Sequence, residues 1–118
     1  VLYLREKLPE AERAAREAVA APRSGGRAAR PALVGALNGL GQLVAEGKGK
    51  PDEGAVLLRE ALALARAEYG PVDVHVANTE LTLVNALIAL GEGGDRDAAA
   101  EGVALARQTT AHVRTLYG

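Results

Sequence analysis

The sequence contains no cysteine, methionine, tryptophan or phenylalanine, and its only aromatic residues are three tyrosines. Without cysteine, the chain can form neither a disulfide nor a thiolate metal site, and it has no cysteine nucleophile. The hydrophobic residues, 48% of the chain, are therefore almost all Ala, Leu, Val and Ile. Because the distance between packed helices depends on the side chains at the contact, this composition predicts closely spaced helices.

An excess of charge of one sign is also missing. The chain has 14 Lys and Arg against 15 Asp and Glu, a formal net charge of −1. It therefore lacks the basic footprint of a nucleic-acid-binding protein. Asn, Glu and Gly interrupt the apolar runs before the ~20 residues that a membrane span needs, and no leader-like segment opens the chain. We expect a soluble, cytoplasmic protein without membrane or nucleic-acid partners.

Repetition is the most informative feature that the sequence does contain. REAV at 16–19 returns as REAL at 59–62, 43 residues later, and EALALAR at 60–66 is echoed by EGVALAR at 101–107, 41 residues later. Spacings of this size predict one supersecondary unit repeated along a helical solenoid.

We expect three units, the first of them incomplete. A partial repeat and loop would occupy residues 1–30, and complete repeats would occupy 31–72 and 73–118. The chain starts without Met and inside a helical pattern, so we interpret it as a fragment of a longer protein.

Each complete repeat is predicted to be a pair of antiparallel helices. Apolar residues at three- and four-residue steps mark one face of each first helix: Leu33, Leu37, Leu40 and Val44, then Val76, Leu83, Leu87 and Leu90. The second helices are expected over about 52–69 and 96–117. In the incomplete unit, we expect one helix to end near residue 6 and its partner to cover 9–21.

A sharp corner is predicted between the two complete repeats. Gly70 can adopt the left-handed conformation that closes a helix, and Pro71 cannot continue one. Asp73 can then cap the next helix, as Asp95 can for the last. Asp52 and Glu53 also lie where acidic residues suit a helix N-terminus.

The first-helix segments resemble a known family. HVANTELTLVNALIALG (75–91) resembles the kinesin light chain type of tetratricopeptide repeat, whose first helix follows a pattern close to V-A-x-x-L-N-N-L-A-x-L-Y-x-x-x-G. ALVGALNGLGQLVAEG (32–47) is similar, and Gly54 and Ala61 match small positions of the second helix. Repeats of about 42 residues of this type resemble those of actinobacterial multidomain regulators. Glu80, where the pattern has Leu, is a departure.

The resemblance implies an all-α tetratricopeptide-like solenoid that is not an enzyme and needs no cofactor. It further implies that the first helices line a concave groove for a protein or peptide partner. Spacing independently places two sets of polar residues each on one helical face, and side-chain amides can both donate to and accept from a peptide backbone. The predicted groove residues are Asn38, Gln42 and Glu46 in one repeat and Asn78 and Asn85 in the next, with Ala89 beside them. An equally good interpretation is that these residues are solvated polar positions opposite the core.

Other kinds of site are not supported by the sequence. Residues 31–47 and 73–91 contain no Lys or Arg, so the groove is not expected to clamp a carboxylate. His75 and His112 are far apart in the sequence and have no ligand pattern around them, so no metal site is predicted. We therefore predict an interaction module, the partner-sensing or regulatory arm of a larger protein. The alternative is a purely structural spacer or a self-association segment.

Overall fold

A computed structural model describes the backbone of residues 2–24 and 30–118 and the side chains of 9–20 and 30–118. Within these ranges every regular element is a helix and no strand occurs, so the predicted all-α class is confirmed. A π-helical turn, Leu43–Gly47, extends the second helix. The helices are α1 (Leu2–Ser24), α2 (Arg30–Gln42), α3 (Pro51–Tyr69), α4 (Val74–Glu92) and α5 (Arg96–Tyr117).

Each helix packs against the next one along the chain. Gly54, near the start of α3, faces Ala45 in the π-helical turn that follows α2. Arg66, near the end of α3, reaches Glu80 in the first half of α4. Gly91 at the end of α4 faces Ala99 at the start of α5. Neighbouring helices are therefore antiparallel, so α2 runs parallel to α4, and α3 to α5.

The corner between α3 and α4 forms as predicted. Gly70 has φ +86°, and its N–H donates to the carbonyl of Arg66 at 3.0 Å. Asp73 precedes α4 in an extended conformation and accepts a 2.7 Å hydrogen bond from the backbone N–H of His75. The rings of Tyr69 and His75 stack across the corner with centroids 4.1 Å apart.

The starts of α5 and α3 differ from each other. Asp95 caps α5 by accepting from the N–H of Ala98 at 2.9 Å, as expected. At α3 the cap position is Lys50, which makes no side-chain capping bond, and Pro51 opens the helix. Asp52 and Glu53 lie in the first turn, where their charges favour the positive end of the helix dipole.

The buried residues of the two helix pairs repeat at nearly constant spacing. Leu33, Leu37, Leu40 and Val44 of α2 and its π-helical turn are buried, as are Val76, Glu80, Leu83 and Leu87 of α4, 43 residues later. Gly54, Leu58, Ala61 and Ala65 of α3 match buried Ala98, Gly102, Leu105 and Thr109 of α5, 44 residues later. The predicted apolar stripes are confirmed, although Leu90 is only partly buried.

The predicted break in the first unit is wrong, because α1 runs unbroken through Pro9. Proline removes one helical hydrogen bond and introduces a local clash, at a cost of about 3 kcal/mol, but it does not forbid a helix. The residues before it, Glu6-Lys7-Leu8, supply no glycine or capping side chain to end one. The loop that was predicted to follow the helix over 9–21 is also shorter than expected, because α1 reaches Ser24 and α2 begins at Arg30, while 25–29 lie outside the described residues.

Among the described residues, α4 is the one helix long and apolar enough to cross a membrane by length and composition. Of its most apolar window, 44% is buried inside the protein. The core helix of a soluble protein passes the same test, so this is weak evidence for a membrane span and is compatible with a soluble protein.

Candidate functional site

The predicted groove residues lie on the two parallel helices α2 and α4. Gln42, Glu46, Asn78 and Asn85 are exposed, and the Nε2 of Gln42 lies 3.4 Å from the Oε2 of Glu46. A few backbone contacts join α2 to α4 directly, so their solvent-facing sides adjoin. We call this surface, the exposed side of α2, its π-helical turn and α4, the α2/α4 face.

Asn38 differs from the other four predicted residues because it is only partly exposed. Its Oδ1 is buried, and the described part of the chain offers it no hydrogen-bond donor. Asn38 therefore presents less of its amide to a partner than Asn78 or Asn85 does.

A row of aliphatic side chains on α4 was not predicted. Val74, Leu81 and Ile88 are 49%, 50% and 49% exposed, and Asn78 and Asn85 alternate with them along the same side of the helix. We call these five residues the α4 ridge. The seven-residue spacing of the three aliphatic residues is visible in the sequence, but the prediction considered only the apolar stripe that faces the core.

The neighbouring surface of α2 is built from much smaller residues. Ala32, Gly35 and Gly39 are exposed, and a Cβ added at either glycine would meet no atom within 4 Å among the residues that the structure describes. A depression of about 460 Å³ follows them along the helix. Its lining is Gly39, Gln42, Leu43, Glu46 and Gly47, which includes two of the predicted groove residues.

The charges of the α2/α4 face lie at its ends. Glu46 and Glu92 are exposed at the C-terminal ends of α2's π-helical turn and of α4. At the opposite end, the backbone N–H of His75 and then its ring hydrogen-bond to Asp73 and lower the pKa of that carboxyl. The partly buried Arg30 begins α2 at this same end, and between the two ends the face is uncharged.

A second polar cluster lies in the core and surrounds Glu80. This carboxylate is fully buried, with Oε1 2.9 Å from Nδ1 of His112 on α5 and Oε2 3.3 Å from Nη2 of Arg66 on α3. The carboxylate thus connects three helices. The sequence identified Glu80 as out of place but did not reveal its partners, which lie 14 residues before it and 32 residues after it.

A groove of about 320 Å³ separates α3 from α5 on the side away from the α2/α4 face. Leu62, Leu83 and Leu105 line it, and the ion pair of Arg59 with Glu101, at 2.7 Å, joins its two walls. Among the described side chains, those of residues 9–20 and 30–118, no three His, Asp or Glu groups come together as a metal site. His75 and His112 bond to different carboxylates, Asp73 and Glu80.

Comparison with protein-family models, with curated proteins and with solved structures finds no match to this chain.

Proposed function

We propose that this chain is a tetratricopeptide-like α-solenoid module that binds a protein or peptide partner on the α2/α4 face. The repeat supports the solenoid, because two successive helix pairs bury equivalent residues 43 and 44 positions apart. Stacked repeats of this kind present extended surfaces suited to binding.

The α4 ridge is the observation that carries the proposed binding role. Its three aliphatic side chains remain about half exposed although the same helix supplies Val76, Leu83 and Leu87 to the core. Burying a cluster of exposed apolar side chains against a partner is favourable, because it removes apolar surface from water. The exposed amides of Asn78 and Asn85 lie between them, and each can donate to and accept from a polar partner group.

The same chemistry favours binding over catalysis. Amide side chains do not exchange protons near neutral pH, so the centre of the face offers no general acid or base. We therefore assign the chain the role of a non-catalytic, cytoplasmic, partner-sensing arm of a larger regulatory protein, acting without a cofactor.

A self-association segment is the second candidate. It is favoured by exposed apolar residues on α5, where Val103 is 53% and Tyr117 72% exposed. Sedimentation velocity distinguishes it, because self-association through α5 predicts a dimer that Val103→Asp converts to a monomer.

The proposed function is tested by selecting binders from displayed peptide libraries and titrating them against Asn78→Ala/Asn85→Ala. Each lost hydrogen bond contributes about 1 kcal/mol, so the double variant should weaken binding about tenfold or more. The fold should be unchanged, because both side chains are exposed.

The matched control is Arg107→Ala/Gln108→Ala, which alters two exposed residues of α5. The control avoids Arg66 of α3, because its side chain donates a hydrogen bond to the buried Glu80 and its loss would disturb the core. Binders that lose affinity for the α5 variant and not for the asparagine variant would contradict the proposed function.

A further inference from the structure

We infer that the partner segment is an amphipathic α-helix that lies along the α4 ridge, with its backbone over Gly35 and Gly39 of α2. The inference rests on the proposed function and specifies the conformation and chemistry of the ligand. Three independent features of the face lead to it.

The first feature is the repeat distance of the ridge. Val74, Leu81 and Ile88 are seven residues apart, which on a helix is about 10.5 Å. A helix packed alongside brings its own apolar residues back to the same side every seven residues, so it stays in register with the ridge over its whole length. An extended peptide repeats every two residues, at about 6.6–6.8 Å, so its side chains match the two ends of the ridge and miss Leu81 between them.

The second feature is the pair of glycines beside the ridge. Gly35 and Gly39 are one helical turn apart and exposed, and no atom of the described residues lies within 4 Å of a Cβ built on either. Gly41 shows the contrast, since its Cβ would lie 2.6 Å from Cγ of Leu58. Glycine weakens a helix, and packing within the chain does not require it at 35 and 39. Both positions leave room for the close approach of a partner's backbone.

The third feature is charge. The exposed carboxylates of Glu46 and Glu92 lie at the C-terminal ends of parallel helical segments, where the helix dipoles are also negative. They complement the positive N-terminal end of a partner helix carrying Lys or Arg there, so the partner runs antiparallel to α4. Such exposed ion pairs contribute little affinity but fix orientation.

This charge pattern argues against a second copy of the chain on the same face. Residues 31–47 and 73–91 contain no Lys or Arg, and the N-terminal end of the face holds one cation, the partly buried Arg30, beside one carboxylate, Asp73. A second copy laid antiparallel would therefore set no net positive charge against Glu46 and Glu92. The occupant is therefore a helix of different sequence, with aliphatic residues at seven-residue spacing and a basic N-terminal end.

The test compares two phage-displayed libraries panned on the intact protein, one randomised on the surface of a stable single helix and one of linear unstructured peptides. We expect binders from the helical library, with aliphatic residues seven apart and a basic residue near the N-terminus. The inference would be overturned if only linear peptides were enriched, or if neither library gave binders.

Two substitutions then locate the bound helix. Gly39→Leu fills the space over α2 and Leu81→Asp disrupts the α4 ridge, and each should weaken helical binders about tenfold or more. Gly39→Leu should keep or raise the Tm, so its effect on binding cannot come from unfolding. Ala100→Leu on the exposed side of α5 is the control and should leave affinity unchanged.

The outcomes separate this inference from the proposed function. Binders sensitive to Asn78→Ala/Asn85→Ala but indifferent to Gly39→Leu would keep the α2/α4 face as the site and eliminate the helix over the glycines. Binders indifferent to all the substitutions on the α2/α4 face would eliminate both.

Discussion

At the scale of single residues, Glu80 is the least expected feature of the core. It occupies the position that Leu37 fills 43 residues earlier, and both side chains are fully buried. A buried carboxylate is costly unless it is paired and hydrogen-bonded, and Arg66 and His112 supply that pairing from two other helices. Glu80 thus ties α3 and α5 to α4 at one point.

The effect of a Glu80 substitution on stability should therefore depend strongly on which residue replaces it. Glu80→Ala removes the bonds and leaves a cavity, and we expect a loss of about 3 kcal/mol in the free energy of unfolding. Glu80→Leu restores the aliphatic residue of the other repeat and frees the 40% exposed Arg66 to reach water, while the 13% exposed His112 loses its partner. Its loss should therefore be smaller than that of Glu80→Ala, because it leaves no cavity. Urea denaturation measures both, and equal losses would show that the polar cluster is not the source of the effect.

Asp73 predicts a dependence of stability on pH. Hydrogen bonds from the backbone and then the ring of His75 hold the pKa of this carboxyl below its usual range in the folded protein. The stability that the Asp73 carboxylate contributes is therefore present above the unfolded pKa of about 4. It is lost as the pH falls through the lower folded pKa.

Asp73→Asn, which keeps a capping side chain without the charge, should be less stable than the native protein at pH 7. The difference should shrink when the pH falls below about 4. Urea denaturation at a series of pH values measures it, and a difference that stays constant down to pH 2 would contradict this assignment.

At the scale of elements, glycine sets the distance between α2 and α3. A Cβ on Gly54 would lie 2.5 Å from Cβ of Ala45 and 2.7 Å from the carbonyl oxygen of Gly41. Because the second contact is with backbone, no side-chain rotation relieves it. The two helices can cross this closely only because this position has no side chain.

The same substitution should therefore have opposite effects at two glycines. Gly54→Ala should destabilise by about 1–3 kcal/mol through overpacking, despite the better helix propensity of alanine. Gly39→Ala, on the open side of α2, should stabilise by up to about 1 kcal/mol. Thermal and urea denaturation show whether each variant is more or less stable than the native protein. Stabilisation by Gly54→Ala would contradict the close crossing.

At the scale of the whole molecule, α3 connects two clusters of buried side chains. Ala61 belongs to the cluster with Leu37 and Leu40, whereas Leu58 and Leu62 belong to the cluster with Leu83 and Leu87. Leu64 packs against both clusters. A core substitution in α3 should therefore destabilise all of the described helices together.

Leu58→Ala should lower the free energy of unfolding by about 2–5 kcal/mol while unfolding remains a single transition. Circular dichroism reports all helices, and Tyr69 fluorescence reports the α3–α4 corner once Tyr3 and Tyr117 are changed to Phe. The two transitions should coincide, and separate midpoints would show that the helix pairs unfold independently.

Sequence reasoning was strongest where one residue controls local geometry. Gly70, Pro71 and Asp73 located the corner, and the aliphatic steps from Leu33 to Val44 located a buried stripe. It failed around Pro9, where two helices were expected and α1 runs through without a break. It also missed the partners of Glu80 and the exposure of Leu81, because both depend on which side of α4 faces α3 and α5.

The central claim, that the α2/α4 face binds a partner, can be tested at one atom. Ile88 is the only isoleucine in the chain and lies on the α4 ridge, so the δ1 methyl of isoleucine-labelled protein gives a single NMR signal from the proposed site. Titration with a library-selected binder should shift or broaden this signal. The Kd obtained from the titration curve should equal the Kd measured independently. A saturated complex in which the Ile88 methyl is unchanged, while leucine methyls of the α3–α5 groove such as Leu62 and Leu105 move, would contradict the claim.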